Sequence, residues 1–191
     1  MARTWKFCRP LTLASASPRR RELLSEVAQD LVVTPADVDE SGVVAASPRA
    51  LVKELSRLKA RAVAALPEND ERVVAGADTV VYLDKIYGKP RDFDDAVKMI
   101  LALSGKWHYV FTGVTVIYGG REITFSVRSA VLIKELDREQ AQEYVRAYEP
   151  YDKAGGYAVQ EGAVTQDYSG SYTNIVGLPM ERLREVLRSL G

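Results

Sequence analysis

The amino-acid sequence predicts an α/β fold built on a mixed β-sheet. Strand-like and helix-like patterns alternate through the first half of the chain, which is typical of strands joined by helical crossovers. In the second half, two long strand-like patterns meet at Gly119-Gly120, a hairpin signal that adds antiparallel strands. The 191 residues are 47% hydrophobic, which fits a single globular domain spanning residues 1–191.

The first two helices are predicted to begin with the same local device. Ser17-Pro18 and Ser47-Pro48 each place a serine N-cap before a proline, which suits the first helical position. Residues 11–14 form a strand pattern before the first helix, and Leu31-Val32-Val33 forms another after it. Apolar residues recur at three- and four-residue steps in the second helix, so we expect a buried stripe of Leu51, Leu55, Leu58, Ala62 and Ala65.

Two apolar runs in the middle of the chain predict buried strands. Residues 73–75 and 80–83 are such runs, and Gly76-Ala77-Asp78-Thr79 interrupts them. Asp92 is suited to cap a third helix. We expect the buried face of that helix to comprise Phe93, Ala96, Val97, Ile100 and Leu101.

The second half of the chain predicts two further strands and two helices. Residues 107–118 and 123–133 read as long strands, and Asp137 begins a helix. The segment 151–171 is rich in glycine and tyrosine, which indicates loops with one short strand. Residues 178–190 predict a closing amphipathic helix.

Composition excludes several classes of function. Lys plus Arg equals Asp plus Glu, at 26 each, so no global basic field favours nucleic acid. The only cysteine is Cys8, and no apolar stretch approaches the ~20 residues needed to span a bilayer, so we expect a cytoplasmic protein without a membrane partner. The only histidine, His108, lies in a strand-like run, where we expect a satisfied hydrogen bond rather than catalysis.

The turn before the first helix is a candidate anion site. Ser15-Ala16-Ser17 separates a strand from a helix N-terminus, where backbone N–H groups and the helix dipole favour an anion. Residues 19–21 are three arginines, which can bind phosphate oxygens in a fork geometry. The alternative is a solvated basic face paired to Glu22 and Glu26.

Acidic and basic residues elsewhere suggest metal-assisted phosphate chemistry. Asp78 lies between two apolar runs, where an unpaired carboxylate is costly to bury. With Glu40 it could hold Mg²⁺, which prefers oxygen ligands. Lys89 follows Gly88 in a turn and could reach a phosphate. Neither the P-loop motif nor the dinucleotide-binding glycine motif is present.

Five ordered motifs resemble the Maf family of nucleotide pyrophosphatases. They are SASPRRRELL, GADTVV, GKP, DKAGGYAVQ and GSYTNIVGLP, and they run from about Leu11 to the final helix. The resemblance implies an elongated mixed sheet with two lobes around a central cleft, and a homodimer. It also implies hydrolysis of nucleoside triphosphates to the monophosphate and pyrophosphate with a divalent metal, Mg²⁺ or Mn²⁺.

The resemblance also assigns roles to individual residues. It implies phosphate contacts at Ser15, Arg20, Lys59 and Lys89, of which Lys89 also counts as catalytic. It implies a metal-binding or water-activating role for Glu40, and a role as proton acceptor and metal ligand for Asp78. Arg19, Thr79 and Gln160 fall at positions that separate the branches, and here they match the branch acting on dTTP and UTP. Glu161 and residues 163–165 depart from the glycine-rich stretch often found there.

Gln160 suits a uracil or thymine base. That base edge offers the acceptor O4 and the donor N3–H, and a glutamine amide supplies one donor and one acceptor. Cytosine reverses the pattern. A free amide could flip, so discrimination needs a neighbour that holds Gln160 in place.

Two alternatives stay open at the level of sequence. The first is a pyrophosphatase for 7-methyl-GTP or another modified nucleotide. The second is a non-catalytic regulator of cell division that binds nucleotides or nucleic acid. A binding protein would not need Asp78, Glu40 and Lys89 together, which favours an enzyme whose partner is a nucleoside triphosphate and which forms no stable nucleic-acid complex.

Overall fold

The computed structural model describes residues 5–190, which form one mixed sheet flanked by helices. The strands are β1 (Leu11–Ala14), β2 (Leu31–Val33), β3 (Val73–Tyr82), β4 (Ile86–Tyr87), β5 (Trp107–Tyr118), β6 (Arg121–Ile133) and β7 (Thr165–Ser169). The sheet has the order β2-β1-β3-β5-β6-β7, with β4 paired to β3. β1 runs parallel to β2 and β3, whereas all other pairs are antiparallel. The predicted mixed α/β sheet is therefore confirmed.

The helices begin where the capping residues predict. They are α1 (Pro18–Ser25), α2 (Pro48–Ala64), α3 (Phe93–Leu103), α4 (Arg138–Tyr148), α5 (Tyr172–Val176) and α6 (Met180–Arg188). Ser17, Ser47, Asp92 and Asp137 each accept a hydrogen bond from a backbone N–H in the first turn of the helix that follows. In the described part of the chain, none of these helices has the length and apolar character needed to cross a membrane.

Strand β3 is continuous, so the predicted interruption at residues 76–79 is wrong. Residues Val74 to Tyr82 of this ten-residue strand pair without a break to β5, with Ala77 opposite Val114 and Asp78 opposite Gly113. Gly and Asp are poor strand formers in isolation, but pairing to a long neighbouring strand overrides that preference. Asp78 therefore projects from the middle of a central strand rather than from a loop.

The buried face of α2 also differs from the predicted stripe. Of that stripe only Leu55 is buried, and the helix instead packs through Val52, Leu55, Ser56, Ala60 and Val63. Two strand glycines explain the difference. A Cβ on Gly76 would lie 2.6 Å from the carbonyl oxygen of Ser56, and one on Gly113 would lie 2.1 Å from that of Val52. The helix backbone thus rests directly on the sheet, which favours small side chains at the contact.

Two apolar clusters pack along the sheet and leave a gap between them. One contains residues of β1, α1 and α6, and reaches Ala77 on β3. The other contains residues of α3 and α4, and reaches Val81 on the same strand. Side chains two residues apart lie on the same face of a strand, so Ala77, Thr79 and Val81 share one face of β3. Thr79 therefore lies between the two clusters.

The same part of β3 has an open edge. β1 pairs with β3 only as far as Gly76, and β4 begins its pairing at Val81. Among the described residues, no strand covers this edge from Ala77 to Val80. The segments that follow β1 and β4 border the opening. The fold thus places Asp78 beside a gap that main-chain pairing does not fill.

We expect the substitution Gly113→Ala to destabilise the protein by about 1–3 kcal/mol, because the added methyl group overlaps the α2 backbone. Urea unfolding followed by circular dichroism measures the effect. Gly42→Ala is the matched control, since a Cβ there meets nothing within 4 Å. Equal unfolding midpoints for the two variants would contradict the direct contact between helix and sheet.

Candidate active site

All nine residues that the sequence analysis singles out for binding or catalysis line one cleft of about 620 Å³ at the open edge of β3. They are Ser15, Arg19, Arg20, Glu40, Lys59, Asp78, Thr79, Lys89 and Gln160. They come from separate segments: the turn after β1, α1, the loop before α2, α2 itself, β3, the turn after β4 and the turn near residue 160. The fold therefore brings the predicted site residues together, and their individual roles stay predictions.

Lys59 joins the two predicted acidic residues. Its Nζ lies 2.6 Å from Oδ1 of Asp78 and 3.0 Å from Oε1 of Glu40. Asp78 is buried, and it projects from the face of β3 against which α2 packs. The ammonium group offsets the cost of removing the Asp78 carboxylate from water. One of the three N–H donors of Lys59 remains available for a ligand.

The carboxylates of Glu40 and Asp78 fit a hard divalent cation that also binds oxygen atoms of a substrate. Both contact the same ammonium group, so their oxygens converge on one place in the cleft. Mg²⁺ is commonly bound by one or two carboxylates together with phosphate oxygens. Within residues 5–190 no group of three or more His, Cys, Asp or Glu side chains could hold a metal. These residues therefore fit a metal that binds jointly with a polyphosphate.

Arg20 connects three segments around the cleft. Its Nε donates to the carbonyl oxygen of Gly177 at 2.8 Å, and Nη2 donates to Oγ1 of Thr79 at 3.0 Å. Nη1 donates to Oγ of Ser15 at 3.0 Å and to the carbonyl oxygen of Ala77 at 2.9 Å. Four of its five N–H groups thus bind protein acceptors. Arg20 has one donor left for a phosphate oxygen.

Arg20 also remains charged in this setting. Burial lowers the pKa of its guanidinium, the negative charge of Asp78 opposes that shift, and neighbouring Arg19 adds to it. An arginine side chain does not lose its proton in proteins. The cleft therefore keeps a fixed positive charge beside Asp78.

Thr79 is held entirely by protein groups. Its hydroxyl accepts from Arg20 and lies 2.9 Å from Oγ1 of Thr112, which donates to the carbonyl oxygen of Asn174 at 3.0 Å. A hydroxyl has one donor and two acceptor positions, so these partners nearly saturate it. The network connects β3 to α5 through Thr112 on β5.

The three consecutive arginines have different surroundings. Arg19 Nη1 donates to Oδ2 of Asp152 at 2.8 Å, across the cleft from α1. Arg21 is exposed. In the described part of the chain none of the three pairs with Glu22 or Glu26, so the alternative of a locally paired basic face is wrong. Apart from Ser15, the partners of Arg19 and Arg20 lie far away in sequence, where no local pattern reveals them.

Lys89 and Gln160 are exposed polar residues of the cleft that differ from Glu40 and Asp152 in their contacts. Lys89 follows β4, and Gln160 lies in the 3₁₀ turn Val159–Glu161. Within residues 5–190 neither side chain forms a hydrogen bond or ion pair with the protein. Their polar groups are therefore free to contact a ligand in the cleft.

His108 is buried next to the cleft wall rather than inside the cleft. Its Nε2 lies 2.7 Å from the hydroxyl of Tyr157, and burial lowers the pKa of the imidazole to about 4. The ring is therefore neutral near pH 7. The prediction of a strand histidine with a satisfied hydrogen bond is confirmed.

Sequence reasoning missed several residues that organise the site. Asp152 and Lys153 lie within the motif DKAGGYAVQ, but nothing local indicates that Asp152 binds Arg19. Lys153 Nζ lies 3.0 Å from Oδ1 of Asp152. Thr112 carries no local signal, because its role depends on the pairing of β5 with β3.

Fold and site together define the class of the protein and then its family. The chain is an α/β protein with a polar cleft beyond the carboxyl end of a parallel strand, which is a frequent location for ligand binding. The chain belongs to the Maf-like protein family, whose family model matches residues 10–190.

Curated relatives cover nearly the whole chain. A protein of Thermosipho africanus is 43% identical over 184 residues, which are 95% of this chain and 93% of the relative. A protein of Syntrophus aciditrophicus is 45% identical over 186 residues, or 95% and 90% of the two chains. One of Bacillus cereus is 41% identical over 183 residues, or 94% and 95%. Each of these relatives is named dTTP/UTP pyrophosphatase.

We expect Arg20→Lys to lower the free energy of unfolding by roughly 2–4 kcal/mol, because one ammonium group cannot reach the four acceptors that the guanidinium binds. Arg21→Lys, on the same helix and exposed, is the matched control and should change stability by less than about 0.5 kcal/mol. Thermal unfolding of both variants measures the difference. Equal losses of stability in the two variants would show that the hydrogen bonds of the Arg20 guanidinium do not hold the cleft together.

Proposed function

We propose that this protein hydrolyses dTTP and UTP to the nucleoside monophosphate and pyrophosphate. The observation that carries the proposal is the contact of Lys59 with both Asp78 and Glu40, inside a cleft that also holds Arg19, Lys89 and other polar groups. The relatives named dTTP/UTP pyrophosphatase, with 41–45% identity over nearly the full chain, support this substrate class.

In this proposal the triphosphate lies between the turn after β1 and Lys89. The Ser15–Ser17 turn lines the cleft and leads into α1, whose N-terminus favours an anion. Lys89, the remaining donor of Lys59 and the remaining donor of Arg20 add positive charge. Neutralising the phosphate charge in a preformed site is usually the largest contribution to such catalysis.

The proposed reaction is an in-line attack of water on the α-phosphorus. A bond forms between the water oxygen and that phosphorus, while the bond to the bridging oxygen of the β-phosphate breaks and pyrophosphate leaves. Asp78 accepts the proton of the water, and Lys59 holds the carboxylate in one orientation through the 2.6 Å contact. Glu40 and Asp78 would hold a divalent cation, Mg²⁺ or Mn²⁺, which when bound shields phosphate charge and acidifies water.

The base is proposed to lie at the rim where Arg19 and Gln160 meet the cleft. The amide of Gln160 is exposed and can pair with O4 and N3–H of uracil or thymine. Thr79 shapes the adjoining wall through its bonds to Arg20 and Thr112. The homodimer, the single-domain organisation and the cytoplasmic location stay predictions from sequence.

A panel of nucleotides tests the substrate class. We expect pyrophosphate release with Mg²⁺ to be fastest for UTP and dTTP, and slower for CTP, GTP, ATP and 7-methyl-GTP. Chelation by EDTA should abolish release, and added Mg²⁺ or Mn²⁺ should restore it. Preference for 7-methyl-GTP would support the alternative pyrophosphatase, whereas tight UTP binding without pyrophosphate release would support a non-catalytic regulator.

We expect Asp78→Asn to lower turnover by about 10²–10⁴-fold, because the amide cannot accept the proton of the attacking water. Circular dichroism should show an intact fold. Asp70→Asn is the control, since Asp70 is exposed and lies outside the cleft. Turnover of Asp78→Asn near the wild-type value would remove Asp78 from the mechanism.

A further inference from the structure

The turn that carries Gln160 is tied down on both sides by one tyrosine. The hydroxyl of Tyr144 accepts a hydrogen bond from the backbone N–H of Ala158 at 3.1 Å and donates one to Oε2 of Glu161. These partners precede and follow Gln160 in the chain. A single phenol group thus fixes both ends of the segment from which the exposed amide projects.

Tyr144 is itself well suited to act as a fixed anchor. Its ring is buried in the apolar cluster formed with α3 and α4, and it is 5% exposed. Burial, together with the hydrogen bond to Glu161, raises the pKa of the phenol, so the hydroxyl stays protonated and can donate. The anchor therefore does not depend on pH in the ordinary range.

Glu161 also connects the turn that carries Gln160 to the opposite rim of the cleft, where Arg19 lies. Its Oε1 lies 3.7 Å from Nζ of Lys153, which lies 3.0 Å from Oδ1 of Asp152. The other oxygen of Asp152 binds Nη1 of Arg19 at 2.8 Å. Burial alone would raise the pKa of Asp152, but the hydrogen bonds from Lys153 and Arg19 lower it below its ordinary value. Charges of alternating sign thus connect Glu161 to Arg19.

The amide of Gln160 needs such support. Within the described residues its side chain has no protein hydrogen bond, so nothing fixes the amide directly. A glutamine amide can present either its oxygen or its nitrogen to a base, and the position of the backbone limits which atoms of the base each of them can reach. Holding Ala158 and Glu161 restricts the positions from which the amide can reach a base edge.

We propose that Tyr144, Glu161 and Lys153 are positioning residues that hold the Gln160 turn and thereby set the selection of uracil and thymine over cytosine. The inference rests on the proposed function, because it concerns the base end of the same cleft. Glu161 stands where the family resemblance predicts a glycine-rich stretch. In this chain the Glu161 side chain therefore helps to hold the turn, through its hydrogen bond from Tyr144. None of the three residues acts on the reacting phosphate.

Kinetics of single-group substitutions test the proposal. Tyr144→Phe removes only the hydroxyl and keeps the packed ring, and Glu161→Ala removes the carboxylate. For both variants we expect a higher KM for UTP, a kcat within about threefold of wild type, and a ratio of kcat/KM for UTP over CTP that falls by roughly tenfold. Glu161→Gln retains an acceptor for Tyr144 and should recover most of the ratio.

The control for Tyr144→Phe is Tyr148→Phe on the same helix. Tyr148 is 41% exposed, its ring centroid lies 4.8 Å from that of Tyr144, and its hydroxyl binds no described residue. We expect this variant to keep the wild-type ratio. Hydrogen–deuterium exchange of the segment 154–164 gives a readout independent of catalysis, and exchange should be faster in Tyr144→Phe only.

The outcomes separate the two proposals. A wild-type protein that does not hydrolyse UTP overturns the proposed function and the selectivity inference with it. If the wild type is active and Tyr144→Phe has the same ratio of kcat/KM for UTP over CTP, the inference alone is overturned. This holds even if hydrogen–deuterium exchange becomes faster in the variant, because faster exchange without a change in the ratio indicates a purely structural role. A reduced ratio with faster exchange supports positioning.

Discussion

The site depends on the ion pair between Lys59 and Asp78, which lies in the middle of a central strand. A buried charge of this kind is tolerated only with a partner close by. The partner is on α2, and it can reach Asp78 because Gly76 and Gly113 let the helix backbone rest on the sheet. Gly113 is also the cross-strand neighbour of Asp78. A packing feature of the fold therefore sets the position of the proposed catalytic group.

Arg20 supplies a second constraint, of a different physical kind. Its guanidinium group binds the turn after β1, the open edge of β3 and the residue after α5. The walls of the cleft are therefore fixed before any ligand enters. Donors and charges that are held in advance need little rearrangement when a reaction develops charge. The carbonyl oxygen of Ala77 is available to this guanidinium because, among the described residues, no strand covers the open edge between β1 and β4 at Ala77.

Local signals in the sequence predict the elements that depend on local physics. The caps at Ser17 and Ser47, the hairpin at Gly119-Gly120 and the strand position of His108 follow from short-range chemistry, and the structure has each of them. The buried face of α2 could not be predicted from the helix alone, since it is set by glycines in two strands distant in sequence. The ordered motifs named the residues of the cleft, but not their contacts: the partners of Arg20 include backbone carbonyl groups, which leave no pattern in a sequence.

The contacts divide the cleft residues into two groups with different ways of acting on a ligand. Arg20 and Thr79 have most of their polar groups bound to the protein, so any bond to substrate beyond the one free donor of Arg20 would require breaking an existing hydrogen bond, at a cost of about 1–3 kcal/mol for each buried group left unpaired. Lys89 and Gln160 have no such cost, because their polar groups are exposed. This difference favours contact with substrate at Lys89 and Gln160, and shaping of the cleft by Arg20 and Thr79. In the proposed function, the residues predicted to mark a branch of the family would thus act on the base either by touching it or by fixing the wall against which it packs.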